Sequence, residues 1–289
     1  MPRAIVLTNP TSGKGRGARM RDEALPRFHG AGWRTTSLTG RDADEALDLA
    51  RLAAAEEPDA LVVCGGDGMV NLGMQAVADT GVPLGILPAG TGNDFARYFD
   101  LPRGDGAAAA VRILHGAPRT VDLARTGGRY FGCVLAAGFD AVVNERANRM
   151  RWPRGQMRYN LATLAELPVL RPLRYVLELD GVERQVEATL VAVGNGPSFG
   201  GGLRITHGAE LDDGLLDVVL IKPLSRRELV RTYPKLFDGS HVTHPQYERH
   251  RVRRVTVACS GIVGYADGER FGPLPLTVES VPGALEVIA

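Results

Sequence analysis

The sequence predicts an α/β protein in which a doubly wound α/β domain is followed by a mainly antiparallel β-domain. Two observations predict this fold. Up to residue 114, short apolar runs alternate with helical patterns, as in a parallel sheet with crossover helices. From residue 119 onward, short apolar or alternating runs are separated by Gly, Asp or Pro, which is typical of antiparallel sheets. We therefore predict domains at 1–122 and 123–280, with 281–289 as a candidate to return to the first.

The first domain is predicted to run in the order β-α-β-α-β-α-β, with one more helix after it. The strand runs are short, apolar and rich in β-branched residues. The helix patterns are amphipathic, and the third carries Val70, Met74 and Val77 on one face. Strands are predicted at 3–8, 33–38, 61–64 and 84–87. The first, second and last helices are predicted at 17–29, 43–56 and 107–114.

The second domain is predicted to consist of short strands around one helical insertion at 146–170. Its strand runs end on turn-forming residues, so neighbouring runs can pair as hairpins. Exposed edges of such sheets can pair between chains, which makes a homodimer a candidate assembly. The predicted strands are 120–123, 130–136, 175–179, 187–193, 215–221, 252–258 and 276–281.

Three glycine-rich turns follow predicted strands of the first domain. They read NPTSGKG at 9–15, GGDG at 65–68 and PAGTGND at 88–94. Right-handed crossovers bring such turns to one edge of a parallel sheet, where ligands bind. Glycines there let backbone N–H groups approach phosphate oxygens, and Thr11, Ser12 and Lys14 can donate as well. The turns therefore predict a phosphate-binding site that is neither a Walker P-loop nor a Rossmann dinucleotide turn.

Two acids in these turns point to a cation. Asp67 and Asp94 would repel a bare phosphate, so a metal ion between carboxylates and phosphate is expected. The alternative is that Gly and Asp simply form tight turns. One GGDG motif would favour that alternative, whereas similar turns after several strands favour the binding site.

Composition excludes some classes of protein. The 289 residues contain 34 Lys and Arg against 33 Asp and Glu, so no basic field indicates nucleic acid. No apolar run is long enough to span a membrane, and the N-terminus does not resemble a signal peptide. Cys64, Cys133 and Cys259 lack metal-ligand spacing and are predicted to be small buried side chains. These features predict a cytoplasmic protein.

The insertion at 146–170 combines helical periodicity with basic and aromatic residues. An amphipathic element of this kind can lie on an anionic bilayer surface, so peripheral membrane association is predicted. The alternative, a solvated helix face packed on the sheet, stays open. The residues concerned are Arg146, Arg149, Trp152 and Tyr159, together with Arg151, Arg154 and Arg158.

Other polar clusters lie in the second domain. Glu210, Asp213 and Leu215 belong to a turn that can hold a hard cation through a carboxylate and carbonyl groups, although an Asp-Gly hairpin turn would look the same. Asp267-Gly268-Glu269 is a second acidic turn. His241 and His244 have no evident third ligand and are predicted to be surface residues.

The chain resembles the diacylglycerol kinase catalytic-domain family, which also contains sphingosine and ceramide kinases. The similarity rests on motifs in family order over nearly the whole chain. GGDG alone is weak, because NAD kinases and phosphofructokinases share it, but the set is specific. The motifs are NPTSGKG, GGDG, PAGTGNDFA, VDL at 121–123, NGPSFGGGLRI at 195–205, DDGLLDV at 212–218 and DGE at 267–269.

The resemblance implies a nucleotide-binding α/β domain like that of NAD kinase or phosphofructokinase, followed by a β-sandwich domain. It implies ATP and Mg²⁺ as cofactors, Glu269 as the catalytic acid/base, and Asp67, Asp94 and Asp122 around the nucleotide magnesium. It also implies a structural magnesium held by Asp213 and the carbonyls of Glu210 and Leu215. With the glycine turns, the predicted nucleotide-binding residues are Asn9, Pro10, Thr11, Ser12, Gly13, Lys14, Thr39, Gly65, Gly66, Asp67, Gly68, Met69, Val70, Asn71, Gly90, Thr91, Gly92, Asn93 and Asp94.

The predicted activity is transfer of the γ-phosphate of ATP to a lipid hydroxyl, with diacylglycerol as the first candidate acceptor and phosphatidic acid as the product. The chain departs from the common GGDGT-x-N-E pattern at Met69 and Leu72, which remove a hydroxyl and an acid. Two alternatives stay open: an NAD kinase-like enzyme, and a catalytically silent nucleotide- or lipid-binding regulator.

Overall fold

The structure is a computed structural model of the 289-residue chain. It describes residues 1–138, 143, 146, 149–150, 152, 161–162, 165 and 171–289. The chain divides into two compact units, which are described separately. The first unit contains Met1–Leu123 and Pro282–Ala289, and the second contains Ala124–Val281.

The first unit is built on a parallel sheet with strand order β2-β1-β3-β4, followed by the end of the last strand, β16. Strand β16 joins in parallel to β4, with Val287 opposite Leu84. The central strands are buried on both faces, which explains their continuous apolar sequences. The strands are β1 (Arg3–Thr8), β2 (Arg34–Leu38), β3 (Ala60–Gly65), β4 (Leu84–Pro88) and β16 (Leu276–Ile288).

Helices cover both faces of this sheet. On one face Met20 and Phe28 of α1 and Ile113 of α5 share a core cluster with Val62 of β3. On the other face, α3 packs so closely that a Cβ on Gly73 would lie 2.9 Å from a Val63 methyl group. The doubly wound α/β fold is therefore confirmed. The helices are α1 (Ser12–Gly30), α2 (Ala43–Ala55), α3 (Asp67–Val77), α4 (Asp94–Tyr98) and α5 (Gly106–His115).

The second unit contains two antiparallel sheets. One has the order β12-β11-β10-β7-β14-β15, and the other includes β13, β8, β9 and the start of β16. Their facing apolar side chains, such as Val191 and Val218 from one sheet and Leu177 and Val255 from the other, form one core. The strands are β5 (Pro118–Thr126), β6 (Arg129–Phe131), β7 (Val134–Gly138), β8 (Leu173–Leu179), β9 (Val182–Ala188), β10 (Leu190–Gly194), β11 (Leu216–Ile221), β12 (Tyr247–Val252), β13 (Arg254–Ala258), β14 (Val263–Ala266) and β15 (Glu269–Pro273).

A short helical segment lies between β11 and β12. It consists of α6 (Arg226–Thr232), which is closed at its start by a capping box between Ser225 and Glu228, and a 3₁₀ turn at Tyr233–Leu236. A second 3₁₀ turn covers Ser240–Thr243. Among the described residues, no helix is long and apolar enough to cross a membrane.

Three strand predictions in the second domain were wrong in the same way. The runs 130–136, 187–193 and 252–258 each contain the end of one strand and the start of another. In all three of them the chain changes sheets, because β6, β9 and β13 belong to one sheet while β7, β10 and β12 belong to the other. An apolar pattern continues across such a break, since both strands supply side chains to the same core. Periodicity alone therefore misses the break.

Candidate functional site

The glycine turns of the first unit follow the carboxyl ends of neighbouring parallel strands, as the sequence predicts. Backbone hydrogen bonds link them. The N–H of Asn9 donates to the carbonyl of Cys64 at 3.0 Å, and the carbonyl of Gly65 accepts from Ala89 at 2.7 Å and from Gly90 at 3.2 Å. Since β1, β3 and β4 are adjacent, the three turns lie at one edge of the sheet.

The turns touch so closely that side chains would not fit between them. A Cβ on Gly90 would lie 2.4 Å from the Cα of Gly66, and a Cβ on Gly13 would lie 2.0 Å from the carbonyl oxygen of Ala89. Arg16 links the first turn to the third, because its guanidinium donates hydrogen bonds to the carbonyls of Gly13 and Gly90, both at 3.0 Å. Contact between backbones therefore explains these glycines, whether or not a phosphate binds.

The first turn has an unusual backbone conformation. Gly13, Lys14 and Gly15 have φ values of 57°, 66° and 88°, so α1 is regular only beyond them. A non-glycine residue in this region costs of order 1–3 kcal/mol and is characteristic of functional turns. Lys14 is exposed, so its ammonium can reach an anion. Asn9 closes the turn by accepting the N–H of Thr11 at 3.1 Å and its hydroxyl at 2.8 Å.

Asp67 links the second turn to the third. Its two carboxylate oxygens accept the N–H groups of Asn93 and Asp94, both at 2.8 Å. Asn93 has a φ of 54°, so this interaction stabilises a left-handed residue. Enclosure of the carboxylate raises the pKa of Asp67, although the two N–H donors and Arg97 act in the opposite direction. The first role visible for Asp67 is therefore to hold the 90–94 turn.

A second carboxylate lies beside that of Asp67. A Cβ on Gly92 would lie 2.6 Å from an oxygen of Asp67 and 3.4 Å from an oxygen of the buried Asp94. The Nε of Arg97 donates to the carbonyl of Gly92 at 2.8 Å. Two carboxylates facing one small space suit Mg²⁺, which is commonly bound by one or two carboxylates together with substrate phosphates. The donor set therefore fits the implied cation.

The two departures from the family pattern are packing residues. Met69 and Leu72 are both buried in α3, and a Cβ on Gly65 would lie 2.3 Å from the Cγ of Met69. The neighbouring Val70 and Asn71 are buried as well. Met69 thus packs against the start of the turn, and the role of residues 69–72 in nucleotide binding stays a prediction.

Two other predicted residues lie elsewhere in the first unit. Asp122 is buried and accepts the N–H of Gly283 at 2.8 Å, so it holds the returning end of the chain. Thr39 is exposed just after β2. These contacts give Asp122 a structural role and leave its part in metal binding a prediction.

The acidic turn of the second unit is held by one carboxylate. Asp267 accepts the N–H groups of Gly132 at 2.7 Å, Cys133 at 3.1 Å and Val134 at 3.2 Å. Asp267 and Gly268 have φ values of 51° and 86°, as a tight hairpin requires. Glu269 follows at the start of β15 and is exposed. The turn is therefore rigidly anchored and presents a carboxylate to solvent.

The predicted magnesium site at 210–215 has protein partners in this structure. One oxygen of Asp213 accepts the N–H of Leu215 at 2.9 Å, and the other is paired with Arg251. Glu210 is exposed. No group of three or more His, Cys, Asp or Glu side chains able to hold a metal occurs among the described residues. Both oxygens of Asp213 thus already have protein partners, and the part of Asp213, Glu210 and Leu215 in metal binding stays a prediction.

Most of the predicted membrane-binding insertion lies outside the described residues. Arg151, Arg154, Arg158 and Tyr159 are among those that the structure does not describe. Arg146, Arg149 and Trp152 are described and exposed. The prediction for 146–170 therefore stays a prediction.

An apolar pocket of about 80 Å³ lies in the second unit, and Phe199 of the glycine-rich loop 194–202 is part of its lining. Its walls come from β10, β11 and β12, the loop after β10, and the helical segment after β11. The apolar repeat at residues 229, 233 and 236 was the signal that could have revealed it. Apolar lining residues include Leu190, Phe199, Ile205, Ile221, Leu229 and Leu236.

Buried polar atoms without hydrogen-bond partners border this pocket. They are the Nδ1 of His241 and the hydroxyls of Thr189 and Tyr247. The prediction of His241 as a surface residue was wrong: it is 1% exposed and packs edge-on against the Tyr247 ring. Burial lowers the pKa of His241, so the neutral ring is favoured. An occupant with an apolar body and a hydrogen-bonding group would match such a wall.

The cysteine prediction was correct for two of three residues. Cys64 and Cys133 are buried, whereas Cys259 is half-buried. Burial raises the pKa of the Cys64 thiol to about 12, so this group stays protonated and unreactive.

Two domain families match the chain. The family described as "Diacylglycerol kinase catalytic domain" matches residues 3–126, and the family described as "YegS C-terminal NAD kinase beta sandwich-like domain" matches residues 133–289. These matches and the glycine turns define a kinase built from an α/β domain and a β-sandwich.

Similar proteins agree with this class. A diacylglycerol kinase of Mycobacterium tuberculosis (strain ATCC 25618 / H37Rv) is 45% identical over 99% of this chain and 94% of its own length. A diacylglycerol kinase of Bacillus subtilis (strain 168) is 31% identical over 95% and 92%. The chain belongs to the diacylglycerol kinase family and is a kinase.

The fold is also found in a crystal structure of a diacylglycerol kinase from Bacillus anthracis str. Sterne. The TM-score is 0.75, with 99% of this chain and 96% of that chain covered, at 20% sequence identity. At this identity the likeness bears on the fold alone, which agrees with the α/β and antiparallel architecture described above.

Proposed function

We propose that this kinase transfers the γ-phosphate of ATP, with Mg²⁺, to the hydroxyl of diacylglycerol and so forms phosphatidic acid. The observation that carries the proposal is the apolar pocket in a chain whose relatives are diacylglycerol kinases. A nucleotide-phosphorylating enzyme would have no evident use for such a pocket. A place of action at the cytoplasmic surface of a membrane follows from this substrate.

The glycine turns of the first unit supply the phosphate-binding groups. Backbone N–H groups in turns 9–15, 65–68 and 90–94 can donate to phosphate oxygens, and the exposed ammonium of Lys14 adds a positive charge. Arg16 and Asp67 fix these turns before any ligand binds. A preorganised site of this kind lowers the cost of orienting the nucleotide.

Asp67 and Asp94 are the residues proposed to hold the nucleotide magnesium. When bound, Mg²⁺ neutralises charge on the phosphates and stabilises the charge that develops during phosphoryl transfer. Burial raises the pKa of Asp67, and a cation bound beside it would favour the ionised carboxylate. Asp122 is proposed to act on this ion through water, and its carboxylate also accepts the N–H of Gly283.

Glu269 is proposed to accept the proton of the attacking lipid hydroxyl. It is exposed on a turn that Asp267 anchors to three backbone N–H groups. An exposed carboxylate on a rigid turn can receive a proton without rearranging the chain. General base catalysis of this kind typically contributes about 10²–10⁴-fold to the rate.

The pocket of the second unit is proposed to receive the apolar part of the lipid. Its apolar walls provide the hydrophobic surface, and Thr189, His241 and Tyr247 bring polar side chains to the same walls. A volume of about 80 Å³ suits part of one acyl chain of a glycerolipid.

The test is phosphate transfer from labelled ATP with Mg²⁺ to diacylglycerol, ceramide, sphingosine and NAD in mixed micelles. We expect labelled phosphatidic acid, and we expect Glu269→Gln to reduce kcat by about 10²–10⁴-fold while nucleotide affinity is kept. The matched control is Glu183→Gln, an exposed glutamate on β9, which should behave as the wild type. Transfer to NAD alone would refute the lipid assignment, and full turnover in Glu269→Gln would remove Glu269 from the role of base.

A pocket variant tests the lipid end separately. Leu236→Trp places an indole in the pocket and should raise KM for long-chain diacylglycerol without changing KM for ATP. Val182→Trp adds the same side chain at an exposed position of β9 and should change neither. Equal effects on both substrates in Leu236→Trp would indicate a folding defect, and no effect would show that the lipid binds elsewhere.

A further inference from the structure

The segment formed by α6 and the following 3₁₀ turn has two different faces. Leu229, Thr232, Tyr233 and Leu236 line the apolar pocket. The side chains between them point away from the pocket towards solvent. This outer set, which we call the 226–237 surface, consists of Arg226, Arg227, Val230, Arg231, Pro234, Lys235 and Phe237.

The 226–237 surface combines exposed apolar residues with positive charge. Val230 is 49% exposed and Phe237 is 43% exposed, and both are among the few large apolar side chains that protrude in the described part of the chain. The ring of Phe237 packs edge-on against Tyr233, with centroids 6.0 Å apart. Two large exposed apolar side chains on one short segment indicate a contact surface more than scattered exposure.

The charge of this surface is strongly one-sided. The segment has three arginines and one lysine, whereas its only acid, Glu228, is engaged by the capping box with Ser225, and the next acid, Asp238, accepts the N–H and hydroxyl of Ser240. Arg227, Arg231 and Lys235 form no ion pair with any carboxylate in the described residues. A cationic surface of this kind is complementary to an anionic partner.

We propose that the 226–237 surface docks the protein onto membranes that contain anionic lipids. Arg227, Arg231 and Lys235 would contact phosphate head groups, while Val230 and Phe237 would enter the boundary between head groups and acyl chains. The same segment lines the pocket with its inner face, so docking brings the pocket next to the lipid phase. The 226–237 surface is distinct from the insertion at 146–170. The proposal rests on the proposed function and adds to it the surface that contacts the membrane.

The chain offers a matched set of three control positions. Arg34 and Arg51 are exposed arginines of the first unit, and Leu52 of α2 is 66% exposed. They have the same chemistry as Arg227, Arg231 and Val230. Substituting either set removes the same charge and the same kind of apolar surface, and only one set belongs to the proposed docking surface.

The experiment measures co-sedimentation of the whole protein with vesicles of phosphatidylcholine, with and without phosphatidylglycerol, in the absence of ATP. Each basic residue near an anionic surface typically contributes about fivefold to binding, so Arg227→Gln/Arg231→Gln should weaken binding to anionic vesicles by about 25-fold. Arg34→Gln/Arg51→Gln should leave it unchanged. Val230→Ser should also weaken binding, whereas Leu52→Ser should not.

Two outcomes would overturn the proposal. One is equal vesicle binding by the wild type and the double variant at positions 227 and 231. The other is an equal loss in the control pair, which would indicate a non-specific charge effect. Failure of the proposed function is distinguishable, because it would appear as absent phosphate transfer while vesicle binding stays intact. Turnover of the docking variants on acceptor in detergent micelles should remain that of the wild type, and its loss would show that the segment acts at the pocket instead.

Discussion

Replacing Asp267 by Asn tests whether one carboxylate positions the proposed catalytic turn. The carboxylate accepts the N–H of Gly132 on one oxygen and those of Cys133 and Val134 on the other. An asparagine has a single acceptor oxygen, so its NH₂ group must face at least one of these buried donors. The geometry of the turn cannot satisfy all three N–H groups in the variant.

The expected cost follows from these contacts. An unsatisfied buried N–H costs about 1–3 kcal/mol, and a hydrogen bond to a charged group is worth about 1.5–3 kcal/mol. We therefore expect Asp267→Asn to lower the free energy of unfolding by about 3 kcal/mol, or the melting temperature by about 6–10 °C. Because Glu269 lies two residues further on, displacement of the turn should also reduce kcat by about 10²-fold.

The same unit contains a natural control for this substitution. Asp180 also starts an Asp-Gly hairpin, with a φ of 47°, and one of its oxygens accepts the N–H groups of both Arg253, at 3.0 Å, and Arg254, at 2.8 Å. An asparagine can keep both bonds through that oxygen. Asp180→Asn should therefore cost only about 1 kcal/mol and leave kcat unchanged.

Thermal unfolding and initial-rate kinetics with saturating ATP check both variants. The reasoning holds if Asp267→Asn loses stability and kcat together while KM for ATP is unchanged. It is refuted if Asp267→Asn is as stable as the wild type, since the three N–H groups would then not depend on the carboxylate. It is also refuted if Asp180→Asn loses kcat to the same degree, because the effect would then come from general destabilisation.

Three further predictions follow from the described contacts. Gly90→Ala, whose Cβ would lie 2.4 Å from Gly66, should weaken ATP binding and stability, whereas Gly30→Ala, with open space around it, should change neither in calorimetric titrations. Arg249→Met leaves the buried Asp217 carboxylate unpaired and should cost about 3–5 kcal/mol in denaturant unfolding. Burial raises the pKa of Asp217, so this deficit should shrink at acidic pH and grow as the pH rises through that pKa. Removing Mg²⁺ with EDTA should abolish turnover without changing the melting temperature of the nucleotide-free protein, whereas a large loss of melting temperature would indicate a structural cation near Asp213.

Much of the first unit could be predicted from sequence because its signals are local. Strand β1 was predicted at its observed bounds, and β2, β3 and β4 were predicted to within a residue at each end, whereas β16 was predicted to end at 281 and runs to Ile288. Buried parallel strands appear as short apolar runs, and each ends on glycines that mark the carboxyl edge. Sequence alone therefore sufficed to place the three turns at one edge of the sheet.

The contacts that hold these turns could not be predicted in the same way. The position of Asp67 in the GGDG turn indicated a metal ligand. In the structure its carboxylate also accepts hydrogen bonds from two N–H groups of a turn that begins about 26 residues later in the chain. Likewise, Asp122 gives no local sign that it meets Gly283. Such bonds depend on the final spatial arrangement of distant segments, which spacing along one chain does not encode.

The polar residues of the pocket show why burial is harder to predict than secondary structure. His241 lies in a polar stretch next to Ser240 and near His244, so its neighbours in sequence indicate a surface position. Its burial arises because a 3₁₀ turn places it against Tyr247, on a strand whose existence was itself missed. A histidine buried with one ring nitrogen unpartnered is costly unless something occupies the space beside it. The same burial that defeated the sequence prediction therefore places an enclosed polar ring beside the apolar pocket, where sequence neighbours gave no sign of either.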